Sequence, residues 1–84
     1  MGPQGIFNPS TKIGAIYQTL TKARRWIPSA ELAKIANIRK MRNVSSFVSD
    51  VRTELSVYKP GFKLAHRMDD MGTHYYRIYS PSGR

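Results

Sequence analysis

The sequence predicts an α+β domain: three helices, a short strand near residues 26–27, and a C-terminal β-hairpin. Three observations carry that prediction. Apolar residues recur at helical spacing twice, as Ile13, Ile16, Tyr17, Leu20 and as Val44, Phe47, Val48, Val51, Leu55. Between these runs, "SAELAKIANI" has the start signals and small apolar residues of a compact helix. After Pro60-Gly61 the rhythm changes to alternation on either side of a Gly-containing polar loop.

Each element has its own local reason. Residues 1–9, with two glycines and two prolines, read as a loose lead-in, with Ile6 and Phe7 able to tuck against the body. Ser10 or Thr11 can cap the first helix by accepting from its orphan N–H groups. That helix should end near Lys22 or Ala23. Pro28 disfavours helix at the preceding residue, so Trp26-Ile27 is expected to be extended. Ser29 is an expected N-cap for the second helix, and Glu31 in its first turn suits the helix dipole. Asn37 is an expected left-handed residue after that helix. The third helix is expected to begin at an Asn43 cap, or earlier near Lys40. "YKPG" is a turn. "FKLAHRM" and "HYYRIYS" then alternate as two strands around "DDMGT". The domain is expected over residues 10–80, with residues 81–84 a frayed end. Trp26, Tyr17, Phe47, Phe62 and the aliphatic positions are expected in the core.

With 84 residues there is material for one domain with a modest core. Fourteen Lys+Arg against five Asp+Glu give a net charge of +9, a field that attracts polyanions, nucleic acid first among them. The excess is +4 over residues 1–28, +2 over 29–58 and +3 over 59–84, concentrated at joints between elements. That pattern favours a folded basic face over a disordered arm. There is no cysteine, hence no disulfide, thiolate metal site or Cys nucleophile. No secretory signal or membrane span is expected, and a cytoplasmic location is. No nucleophile elbow or Gly-rich phosphate loop is present, so no catalytic residues, cofactor or small-molecule ligand are expected. His66 and His74, facing one another across the hairpin, lack a third ligand, so no metal is expected either.

"IPSAELAKIANI" followed by "NVSSFVSDVRTEL" and then "FKLAHRMDDMGTHYYRIY" resembles the winged helix-turn-helix family of DNA-binding domains. The likeness covers about residues 10–80. It is most similar to small phage- and prophage-encoded regulators, which often show "W-I-x-S-A-E-L-A" and "H-Y-Y-R". Two departures are evident: Asn37 stands where Gly is common in the turn, and "RKMR" lengthens the joint. The resemblance implies a sequence-specific double-stranded DNA binder, a small bacterial or phage transcription regulator or a recombination accessory factor. A homodimer is expected if its site is palindromic. A winged-helix module that binds protein, or an RNA- or ribosome-associated basic protein, are the alternative functions.

The candidate residues follow from how a helix enters the major groove. Arg42, Asn43, Ser45, Ser46 and Ser49 are the candidates for base edges. Arg can pair bidentately with guanine and Asn with adenine, whereas Ser discriminates little. Lys22, Arg24, Arg25, Lys34, Arg39, Lys40, Arg52 and Thr53 are candidates for phosphates, which fix register without reading sequence. Lys63, Arg67, Tyr75 and Arg77 are the candidate wing contacts. Asp69 and Asp70 would be repelled by phosphate, which keeps the hairpin tip off the DNA or turns it to a protein neighbour. Cross-strand packing accounts for Tyr76. Tyr75 and Tyr79 are open to either role.

Overall fold

The computed structural model describes residues 5–80. Along the chain come a 3-10 turn (Gly5–Phe7), α1 (Lys12–Ala23), β1 (Ile27–Pro28), α2 (Ser29–Ile35), α3 (Arg42–Tyr58), β2 (Lys63–Met68) and β3 (His74–Tyr79). The strands form one antiparallel sheet in the order β1-β3-β2. Ile27 stands opposite Tyr76, and Lys63 to Met68 run against Tyr79 to His74. Three helices closed by a hairpin that recruits β1 give the topology of a winged helix.

The core lies where the three helices meet the inner face of the sheet. Ile16 and Leu20 of α1, Leu32 of α2 and Val44, Val51 and Leu55 of α3 are almost wholly buried with Ile27, Tyr76 and Ile78. Each such aliphatic side chain contributes roughly 1.5–3 kcal/mol relative to exposure. Both long apolar runs therefore face inward as their spacing predicts.

Thr11 caps α1: its hydroxyl accepts from Gly14 N–H at 3.0 Å and donates towards the carbonyls of Gly5 and Asn8, each at 2.8 Å. The described part of the lead-in is packed. Ile6 is fully buried and its N–H donates to Glu54 Oε1 at 3.1 Å. Residues 1–4 of the expected lead-in and the expected frayed end at 81–84 lie outside the described residues.

One cap differs from expectation, and of the two expected starts of α3 the earlier one is found. Extended Pro28, not Ser29, occupies the N-cap of α2, and Ser29 is its buried first residue. Asn43 lies inside α3, which begins at Arg42 after an N-cap at Met41 with no side-chain cap, the earlier start expected near Lys40. This start is tightened by backbone bonds from Asn43 N to Lys40 O and from Val44 N to Met41 O, so the first turn needs no side-chain acceptor at Asn43.

The turn between α2 and α3 is set by Asn37, at φ 57°. Ile38 N–H reaches back to Ala33 O at 2.7 Å and Asn37 N–H to Lys34 O at 3.4 Å. This paired closure satisfies two terminal carbonyls of α2. Ile38 then drops into the core while Ile35 stays exposed. Asn therefore does the work that Gly does more often, at the cost of some strain.

Trp26 is the clearest departure. It is only half-buried, and the Arg67 guanidinium lies 5.5 Å from its ring. Alternation explains this: Ile27 takes the inward position at β1, which leaves Trp26 on the outer side.

Candidate nucleic-acid interface

The buried stripe of α3, Val44, Val48, Val51 and Leu55, fixes which face remains outside. That outer face carries Arg42, Ser46, Ser49 and Thr53, all exposed, with Asn43 and Ser45 also exposed at its edges. The side chains of Arg42, Asn43, Ser46 and Ser49 make no hydrogen bond to other described residues. Ser45 Oγ instead donates to Arg42 O at 3.2 Å, and Thr53 Oγ1 to Ser49 O at 3.1 Å. These two hydroxyls are thus engaged with their own helix. Asp50, also exposed, places one negative charge beside this row.

The joint before α3 is a basic concavity. Lys12, Arg39, Lys40 and Asn43 line a depression of about 450 Å³ with Asn37, Ile38 and Phe47. Lys12 is brought there from the first turn of α1. Its Nζ donates to Asn37 O at 3.0 Å and towards Ala36 O at 3.4 Å. Sequence reasoning assigned Lys12 no role, because the turn it joins is 25 residues away in the chain. The start of α3, which has no side-chain cap, adds the partial positive charge of the helix dipole to this neighbourhood.

The other expected phosphate contacts do not gather at this joint. Lys22 is exposed in the last turn of α1, and Lys34 in the last turn of α2. Arg24 follows α1 in left-handed conformation, φ 54°. Arg25 is held by Glu31 at 2.9 Å, the one ion pair among the described residues, so part of its charge is offset. Arg52 faces the wing: its Nη2 approaches Leu64 O at 3.5 Å. Since β2 is an edge strand, this contact occupies an otherwise unpaired carbonyl.

In the wing, Lys63, Arg67, Tyr75, Arg77 and Tyr79 share the outer face, as cross-strand partners Lys63–Tyr79 and Arg67–Tyr75 require. The inner face carries Tyr76 and Ile78, both buried. Burial pushes the Tyr76 hydroxyl up from its ordinary pKa, and the charge of Arg52 opposes that shift. His66 and His74 meet as expected, Nε2 to Nδ1 at 2.7 Å, with rings stacked at 4.9 Å.

Asp69 has a role that its charge alone did not suggest. Its Oδ1 accepts from the N–H groups of Thr73 and Met71, each at 2.9 Å, and its Oδ2 from Tyr75 OH at 3.0 Å. The Thr73 bond is the largest influence holding its carboxyl below the ordinary range, with Tyr75, Met71 and the charge of Arg67 acting the same way against desolvation. The same Asp69 contact raises Tyr75. The carboxylate organises the hairpin turn, where Gly72 takes φ 83°.

Among the described residues, no three His, Cys, Asp or Glu side chains are grouped to hold a metal ion, and no helix is long and apolar enough to cross a membrane. No protein-family model, curated protein or solved structure matches this chain.

Proposed function

We propose that this chain binds double-stranded DNA in a sequence-specific way, as a small transcription regulator of the phage or prophage kind, in a bacterial cytoplasm. One observation carries the reading. The unpartnered side chains of Arg42, Asn43, Ser46 and Ser49 lie along α3, immediately beside the concavity of Lys12, Arg39 and Lys40. A helix of this width fits the major groove of B-DNA, and residues near its N terminus reach base edges. In this reading Arg42 pairs with guanine and Asn43 with adenine. The short Ser46 and Ser49 side chains let the helix sit deep. Lys12, Arg39 and Lys40 grip the flanking phosphates and fix register. The reaction asked of the protein is binding alone, with no catalysis and no cofactor.

The test compares Arg42→Ala with Lys40→Gln on one selected duplex and its single-base variants. Arg42→Ala should cost roughly 1–3 kcal/mol and relax preference at one base pair. Lys40→Gln should weaken all sequences alike and reduce the salt slope by about one. Equal losses on every sequence from both substitutions would remove Arg42 from base readout.

A second reading, a protein-binding module, is favoured by one feature. Phe7 and Tyr58, each 44% exposed, meet edge to face at 5.9 Å beside exposed Val57. This patch could hold a second copy or another protein; fully buried Ile6 cannot contribute to it.

A further inference from the structure

We propose that the outer face of the β-sheet is a second nucleic-acid surface, one that takes a single strand by stacking its bases. The proposal is independent of the duplex reading of α3, and it uses a face of the sheet turned away from the buried Tyr76 and Ile78.

The face is built of alternating rings and cations. Arg67 lies 5.5 Å from the Trp26 ring and 5.7 Å from the Tyr75 ring, and Arg77 lies 4.8 Å from the Tyr79 ring. Lys63 stands opposite Tyr79 in the register. Both guanidinium groups are held against rings and neither makes an ion pair among the described residues, although Arg67 interacts electrostatically with the Asp69 carboxylate. Arg77 Nε is buried without a hydrogen-bond partner, so interactions of that guanidinium with a ligand fall to its Nη groups.

That chemistry suits bases and phosphates together. Bases stack on aromatic rings and on guanidinium planes alike, and every base has such a face. The free N–H edges and the Lys63 ammonium are left for the backbone. A duplex offers neither unstacked bases nor a shape that lies flat on a sheet. Asp70 at the tip and the Asp69 carboxylate would repel phosphate at one end. The strand is therefore expected to cross from Trp26 and Arg67 towards Arg77, Tyr79 and Lys63, away from the tip.

Trp26 is the only tryptophan, so its fluorescence reports this face alone. The protein is titrated with a thymine oligonucleotide of about 12 nucleotides, within the span single-strand sites cover. Inorganic polyphosphate and a DNA duplex serve as controls. Quenching by the oligonucleotide that persists in excess polyphosphate is expected. Tyr79→Ala and Arg77→Gln should each weaken that binding at least about fivefold, with duplex affinity unchanged in Tyr79→Ala. Arg42→Ala should leave single-strand binding intact, whatever it does to the duplex. Lys63→Gln, at an exposed side chain, keeps the test decisive if either first variant unfolds, and a weaker single-strand affinity is again expected. Absent quenching, quenching equalled by polyphosphate, or single-strand binding unaffected by these substitutions would overturn the proposal. Parallel loss of duplex and single-strand binding in well-folded Tyr79→Ala would also overturn it, since one surface would then serve both.

Discussion

Lys12 Nζ donates to Asn37 O at 3.0 Å, and so ties the start of α1 to the turn that precedes α3. The turn is left-handed at a non-glycine residue, and Lys12 partners the carbonyl of that residue. Lys12→Met keeps the aliphatic stem and removes the donor. It should lower stability by about 1 kcal/mol, the usual worth of such a bond. In a domain of this size that is a fall of about 4–8 °C in Tm. Thermal unfolding by circular dichroism reads it. The same variant should also weaken DNA binding at low salt, because a charge leaves the concavity. An unchanged Tm would mean that the contact does not hold the turn.

Gly14 is a second point where remote backbone meets α1. A Cβ there would fall onto the carbonyl oxygen of Asn8, which belongs to the backbone and cannot simply rotate away. In an open helix, Gly→Ala gains about 1 kcal/mol. Here the sign should reverse, with a net loss of roughly 1–3 kcal/mol from overpacking. Denaturant unfolding measures it. A stabilised Gly14→Ala would show that the segment before α1 packs less closely than described.

The hairpin turn should be acid-sensitive through Asp69. Its carboxyl is shifted below the ordinary aspartate pKa of 3.8 by hydrogen bonds present only in the fold. A depressed folded pKa contributes stability that is fully present above the unfolded value. That contribution is lost as pH falls from about 4 through the lower folded value. Melting curves between pH 6 and pH 3 should therefore fall more steeply for the parent protein than for Asp69→Ala. Parallel curves would mean that these bonds do not distinguish the two charge states.

The helices and hairpin were legible because their apolar spacing is set by burial on one face. Val44, Val48, Val51 and Leu55 lie inward as a period near four requires. Asn37 was legible as a left-handed residue for the same local reason that places Asn in turns. The caps were less so. Ser29 has the right side chain for a cap, but β1 pairing holds Pro28 extended up to the helix, and Ser29 becomes its first, buried residue. Trp26 was expected inside because of its size. Its side is decided by the pairing of Ile27 with Tyr76, which no local pattern contains. In the candidate site, the exposed row on α3 could be read from periodicity. The contribution of Lys12 and the engagement of Arg25 with Glu31 depend on tertiary placement.

The most direct test of the central claim is selection from a pool of random DNA duplexes at two salt concentrations, with an RNA duplex as control. Phosphate contacts make binding salt-dependent, whereas base contacts make it selective. An A-form RNA duplex does not admit a helix to its major groove. The account predicts enrichment of one DNA sequence that survives moderate salt, with weak RNA binding and a consensus altered at one position by Arg42→Ala. Salt-sensitive binding with no enriched sequence, or no duplex binding even at low salt, would contradict it.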